Sequence, residues 1–244
     1  MARIALISGG TRGIGAAIST AMKAAGYSVA ANFAGNTDKA AEFHAATGIP
    51  VFQWDVSDYD ACVKGIAEVE TQLGPIDVLV NNAGITRDGM FHKITPQQWK
   101  EVIDTNLSGL FNMTHPVWPG MRERGFGRII NISSVVGATG NPGQGNYAAS
   151  KAGMVGMSKS LAYEVANRGI TVNAVAPGIV ETPLMASYTD EQRARLEKTV
   201  PMGRMGQSGD IAQAVAFFAD EANAYVTGQL LYVCGGRSLS SPSV

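Results

Sequence analysis

Short β-branched runs alternate with amphipathic stretches along the whole chain, and that rhythm admits few folds. "RIALIS" leads into a helical stretch from about Gly13 to Ala25, "YSVAANF" into one near Thr37 to Ala46, and "PVFQWDV" into one from about Ser57 to Leu73. "IDVLVNN" precedes a long helical region from Pro96 to Arg124, and "GRIINISS" precedes one from Tyr147 to Arg168. "ITVNAVAP" and a final "QLLYVCGG" supply two more strands. Strands separated by helices line up as a parallel sheet covered on both faces. The 244 residues, 45% of them hydrophobic, suffice to bury such a sheet within one α/β domain spanning 1–244.

Composition removes several function classes. Nineteen basic and twenty acidic residues leave a net charge of -1, and the cations are scattered singly, so neither nucleic acid nor an anionic membrane is an expected partner. No apolar run is long enough to cross a bilayer and no leader pattern opens the chain, which places the expected location in the cytoplasm. Cys62 and Cys234 lie far apart without a CxxC, and His44, His92 and His115 stand beside no second ligand cluster, so no metal is expected and both thiols are read as buried. The tail "RSLSSPSV" is polar and expected to be loosely held. One region breaks the rhythm: 179–201 carries the charged stretch "TDEQRARLEK", either a mobile cover over a site or a surface helical hairpin.

"ALISGGTRGIGAAIS" sits directly after the first strand and opens the first helix, placing Gly9, Gly13 and Gly15 where a chain must turn tightly. Glycines there let backbone N–H groups and the helix N-terminus approach a pyrophosphate. The flanking strand and helix make this the dinucleotide turn of a Rossmann-type, doubly wound sheet of about seven strands, with Thr11, Arg12 and Ile14 also at the cofactor. About twenty residues on, where an acid would hold the ribose 2′-hydroxyl of NAD, stand Ala31, Asn32 and Phe33. No carboxylate opposes a 2′-phosphate, and Arg12 offers it a cation, so NADP(H) is expected over NAD(H). The plainer readings are a solvated charge at Arg12 and a turn residue at Asn32. In "WDVS", Asp55 and Val56 are expected at the adenine, although Asp55 supporting a helix N-cap would look identical.

At the chemical end, "RIINISS" stops at Ser134 and "YAASK" follows with Tyr147 and Lys151. Positions i and i+4 share a helix face, and an ammonium there would favour phenolate and lower the phenol's pKa. That would make Tyr147 a proton donor near neutral pH, with Ser134 holding a carbonyl oxygen against it.

The glycine turn, "DV" at Asp55, "NNAG", "DTNLSG", the Ser134, Tyr147 and Lys151 set, and "APG" ending at Gly178 resemble, in order, the short-chain dehydrogenase/reductase family. The resemblance implies a catalytic tetrad of Asn106, Ser134, Tyr147 and Lys151. Asn106 would kink its helix and hold a water, and Tyr147 and Lys151 would also bind the cofactor, Lys151 at the nicotinamide ribose. Asn82, Ala83 and Gly84 are implied near the adenine ribose. Pro177, Gly178, Ile179 and Thr182 are implied at the nicotinamide, and Ser134, Gln144 and Tyr147 at the substrate.

Two subfamilies match different parts of the chain. "NNAGITRDGMFHK" and "WKEVIDTNLSGLFN" resemble acetoacetyl-CoA reductases, whereas "VVGATGNPGQGNYAASKAG" and "ITVNAVAPGIVET" resemble 3-oxoacyl-[acyl-carrier-protein] reductases. Either the subfamilies grade into one another or the chain is a recombinant that switches near Ser134. Of two arginines that meet the carrier in the second group, only Arg168 is matched; Gly125 stands at the other position, which argues against carrier docking. The expected reaction is NADPH-dependent reduction of a 3-oxoacyl thioester. The alternatives are a carbonyl reductase of β-keto esters or aryl ketones, and a non-catalytic NADP(H) sensor or scaffold. The resemblance implies a homotetramer.

Overall fold

A computed structural model of the protein describes residues 2–182, 185 and 188–239. Nine strands are present among them: β1 (Ile4–Ile7), β2 (Ser28–Phe33), β3 (Val51–Gln53), β4 (Ile76–Asn81), β5 (Gly127–Ile132), β6 (Ile170–Pro177), β7 (Val180–Glu181), β8 (Gly206–Gln207) and β9 (Leu230–Val233). The helices are α1 (Gly13–Ala24), α2 (Thr37–Thr47), α3 (Tyr59–Leu73), α4 (Pro96–Ile103), α5 (Gly109–Arg124), α6 (Val136–Thr139), α7 (Gly145–Val165), α8 (Asp190–Lys198) and α9 (Ser208–Ala219). Seven strands form one parallel sheet in the order β3-β2-β1-β4-β5-β6-β9, and β7 pairs with β8 in a second, two-stranded sheet.

Alternate residues of each central strand feed opposite layers, as the two-residue pleat requires. Leu6, Leu79, Ile129 and Val172 pack with Trp54, Ile66, Met113 and Val165 beneath α3, α5 and α7. Ala5, Ile7, Val78, Val80 and Ile130 pack with Ile18, Met22, Ile211, Val215 and Phe218 beneath α1 and α9. Both faces are thus dry, which explains why these strands read as continuous apolar runs.

The expected elements are present with shifted ends, and two differ in kind. The region from Pro96 to Arg124 is two α-helices joined by a π-helical turn, Asp104–Ser108. The helix bearing Tyr147 starts at Gly145 and ends at Val165, with Ala166–Arg168 as a separate 3-10 turn. Helix α9 was not among the sequence expectations, although its buried positions Ile211, Ala212, Val215, Phe218 and Ala219 carry a helical spacing. Cys62 is buried, and burial pushes its thiol up to about 12. Cys234 corrects the expectation: it is only half-buried, with its sulfur 3.3 Å from Ser238 Oγ. The end of the polar tail, 240–244, lies outside the described residues.

The strand order reverses direction between β1 and β4. In an open α/β sheet that switch point opens a crevice at the carboxyl ends of the two strands. The glycine turn follows β1 and Asn82–Gly84 follows β4, so both line that crevice.

Candidate active site

The glycine turn is built to leave room. Gly9 and Gly13 have φ of 61° and 53°, the left-handed region that favours glycine. At Gly15 a Cβ would lie 2.0 Å from the carbonyl oxygen of Gly9 and 2.6 Å from Asn82 Nδ2, so only hydrogen fits. Arg12 is the N-cap of α1 yet makes no side-chain cap bond, and the first turn carries no acid. The helix start therefore keeps its orphan N–H groups and partial positive charge for an anion. Arg12 itself is exposed and in no ion pair among the described residues; Thr11 is buried and Ile14 half-buried. These features fit a dinucleotide pyrophosphate.

Ser8, which the sequence reading did not single out, and Asn82 hold the turn in place. Ser8 Oγ accepts the N–H of Asn82 and of Ala83, both at 3.0 Å, tying β1 to the loop after β4. Asn82 Nδ2 returns bonds to the carbonyls of Ser8 (3.0 Å) and Gly9 (3.2 Å). Asn82 thus supports the turn, while Ala83 is half-buried and Gly84 exposed beside the crevice.

The reading of Asn32 is corrected. It is 1% exposed, accepts from Gly9 N at 3.4 Å and donates to the Trp54 carbonyl at 3.0 Å. It braces the glycine turn from beneath and presents nothing to a ligand. Asp55 is exposed, and its Oδ1 accepts from Ser57 N (2.9 Å) and Ser57 Oγ (2.8 Å). Asp58, not Asp55, caps α3 through Ala61 N, which removes the N-cap alternative. Val56 is buried, and its carbonyl accepts from Asn112 Nδ2 at 2.9 Å.

At the other side of the crevice the four tetrad positions come together. Asn106 is fully buried inside the π-helical turn, a local widening common at functional sites. Its Oδ1 accepts from Ile85 N (2.8 Å), and its Nδ2 donates to the Ile85 carbonyl (3.0 Å) and Ser150 Oγ (3.2 Å). Ser150 Oγ in turn donates to the Tyr147 carbonyl at 2.7 Å, so Asn106 steadies the helix turn that carries Tyr147. Ser134, half-buried after β5, accepts from Val136 N at 3.2 Å, and its own hydroxyl proton remains available to an oxygen. A Cβ on Gly84 would lie 3.3 Å from Asn106 Oδ1 and 3.5 Å from Lys151 Nζ, so these three border one hollow.

Lys151 is 3% exposed. Nζ donates to the Ile132 carbonyl at 2.7 Å and lies 5.6 Å from the centroid of the Tyr147 ring. Burial lowers its ammonium from 10.5 to about 8. The expected lowering of the Tyr147 pKa is corrected: burial raises it, the Ser134 hydroxyl pulls it down, and the Asp88 charge raises it further. The i, i+4 spacing brings amine and ring together, but burial is the largest influence on the phenol and holds it protonated in the free protein.

The remaining expected positions lie at the end of β6, on the chain that follows it, and at the start of α7. Pro177 ends β6, and its carbonyl accepts from Val135 N at 3.0 Å. Gly178 follows where a Cβ would lie 2.8 Å from Cys234 Cα, so a larger residue would push the turn out. Ile179 and Thr182 are half-buried. Gln144, the N-cap of α7, uses its amide on Asp88 (2.9 Å) and Asn141 (2.9 Å). Among the described residues no cluster of three metal-type side chains occurs.

The class that this fold and crevice define is a dinucleotide-dependent oxidoreductase. A family model described as enoyl-(acyl carrier protein) reductase matches residues 9–238. The chain belongs to the short-chain dehydrogenase/reductase family, whose members use a nicotinamide cofactor on keto and hydroxyl groups. It is 57% identical to an acetoacetyl-CoA reductase of Shinella zoogloeoides, covering 97% of this chain and 99% of that one. An acetoacetyl-CoA reductase of Rhizobium meliloti is 56% identical with the same coverage. A 3-oxoacyl-[acyl-carrier-protein] reductase of Staphylococcus aureus is 47% identical over 97% of this chain and 98% of its own.

Proposed function

We propose that the protein reduces a 3-oxoacyl thioester, acetoacetyl-CoA foremost, to the 3-hydroxyacyl thioester with NADPH. The observation that carries the reaction type is the bonded frame that seats Tyr147 between Ser134 and the buried Lys151 at the switch-point crevice. The acetoacetyl-CoA reductases, at 56–57% identity against 47% for the carrier-protein enzyme, support the substrate.

Bound NADPH would supply the hydride to the carbonyl carbon. Ser134 donates a hydrogen bond to the carbonyl oxygen and holds it against Tyr147, whose phenol gives up its proton as charge develops there. Lys151, charged below about pH 8 and without a carboxylate partner among the described residues, stabilises the phenolate left behind. Its N–H groups not used on Ile132 would hold the nicotinamide ribose. Asn106 fixes the helix turn below and, with its water, would complete the proton path to Lys151. Arg12 takes the 2′-phosphate, for the residues after β2 (Ala34, Gly35 and Asn36) present no carboxylate against it.

Coenzyme A fits better than a carrier protein as the thioester handle. Gly125 is the left-handed C-cap of α5 with φ of 64°, a position where an arginine would be strained. The neighbouring Arg124 turns inward, donating to the Ile76 carbonyl at 2.6 Å, so neither position offers a free cation beside Arg168.

Segment 179–201 would cover the substrate, with α8 pinned by Arg193 to Glu181 at 2.7 Å. Large apolar side chains exposed on two separate faces, Phe111 and Tyr163 on one, Phe217 and Tyr232 on the other, support a homotetramer. No described helix is long and apolar enough to cross a membrane, in keeping with a cytoplasmic enzyme.

Parallel assays with acetoacetyl-CoA, a 3-oxoacyl-carrier protein and an aryl ketone, each with NADPH and NADH, test this reading. The expected order puts acetoacetyl-CoA with NADPH first. Preference for the ketone would establish the carbonyl-reductase alternative, and cofactor binding without turnover on any of them would establish the sensor.

A further inference from the structure

The loop from Ile85 to Lys93 is stitched to the start of α7 at three places. Gly89 N donates to the Gly143 carbonyl at 2.8 Å, Asn146 Nδ2 donates to the Arg87 carbonyl at 3.1 Å, and Gln144 Nε2 donates to Asp88 Oδ2 at 2.9 Å. Asn141 Nδ2 donates to Gln144 Oε1 at 2.9 Å and fixes the amide that grips Asp88. Asn106 anchors the other end of the loop at Ile85. Gln144 is the N-cap of α7, three residues before Tyr147.

Lys93, at the far end of this loop, is exposed and in no ion pair among the described residues, while four other charges around the rim are paired. Arg87 pairs with Glu101 at 2.7 Å, and Lys100 pairs with Asp104. On its own helix Tyr147 faces only Lys151, and α6, packed against α7, carries no titratable group. Asp88 is in no ion pair among the described residues and is held by an amide alone.

We propose that Asp88 is a positioning residue of the reaction: latched by Gln144, it holds the rim to the Tyr147 helix and turns an uncompensated negative charge toward the phenol. The inference rests on Tyr147 being the proton donor. A negative charge favours the protonated phenol, so Asp88 extends the range over which Tyr147 can give a proton to higher pH. The Asp88 charge is indeed among the causes that raise the Tyr147 phenol.

The test compares the parent with Asp88→Asn, which keeps an acceptor for Gln144 but removes the charge, and with Gln144→Ala, which keeps the charge but frees it. Phenolate absorbance is titrated with pH in each, subtracting the same titration of the matching chain that also carries Tyr147→Phe, so that only Tyr147 is read. In Asp88→Asn the midpoint should fall by roughly half a pH unit at low salt, as for a unit charge acting across a hydrated rim, and the gap should narrow at about 1 M salt. Gln144→Ala should move it the same way by less. The basic limb of kcat/KM for reduction should follow in both. An Asp88→Asn midpoint equal to the parent's overturns the proposal, and a Gln144→Ala midpoint equal to the parent's overturns the latch. The titration needs no substrate, so a parent that reduces none of the tested carbonyls defeats the functional reading without touching this one.

Discussion

Replacing Lys151 by methionine should make the folded chain more stable, because the buried amine weakens it. The side chain is 3% exposed, with one protein oxygen, the Ile132 carbonyl, as acceptor, and its ammonium is held at about 8 in place of 10.5. At about 1.4 kcal/mol per pH unit, that difference destabilises the charged form by about 3 kcal/mol. Below about pH 8 folded and unfolded chains are both protonated and the full penalty applies. Between about 8 and 10.5 the folded chain has released a proton that the unfolded chain retains, so stability climbs with pH; above that range the penalty is gone.

Methionine keeps an apolar stem but loses the bond to the Ile132 carbonyl, worth about 1 kcal/mol, and the weak 3.7 Å contact of Nζ with Met154 Sδ. The variant should therefore be about 2 kcal/mol more stable at pH 7, with the advantage vanishing and slightly reversing toward pH 10.5. Urea unfolding of both chains without cofactor, at one protein concentration and followed by tryptophan fluorescence, gives the difference at each pH. Titrations common to both chains cancel. A variant less stable at pH 7, or a difference that does not change with pH, would refute the claim that a charge is buried there.

Other consequences follow from the cofactor end. Gly15→Ala places a Cβ 2.0 Å from the Gly9 carbonyl, so the turn must move, and NADPH affinity by fluorescence titration should fall about a hundredfold or more. Unchanged affinity would show that the pyrophosphate binds elsewhere. Arg12→Ala should raise KM for NADPH about tenfold and leave that for NADH nearly unchanged, as expected for one exposed charge-assisted contact. Equal losses for both cofactors would place Arg12 at the pyrophosphate instead.

The layered sheet was legible because every central strand is dry on both sides and reads as an unbroken β-branched run. The same property hid the role of Asn32: where both faces are buried, alternation cannot say which side chains look outward, and its neighbour Ala31 is as buried as Asn32. Strands of two residues, as in β7 and β8, are too short to carry any period. Helix α9 could have been found from its Ile211, Val215 and Phe218 spacing. The spacing of Tyr147 and Lys151 located the pair, but the state of the pair depends on what lies beneath it. Ile132, at the end of strand β5, takes the ammonium, and no sequence period reports that. Nor does the sequence show that Gln144 spends its amide on Asp88 across the rim.

The central claim is that Tyr147 delivers the proton in a reductase whose phosphate-binding turn stands apart from it across the crevice. Tyr147→Phe removes the hydroxyl and leaves the ring, so NADPH should bind with a Kd within about twofold of the parent's, while kcat with acetoacetyl-CoA falls by about a thousandfold or more. Measuring both on the same preparation decides it. Turnover that survives the loss of the hydroxyl would contradict the account.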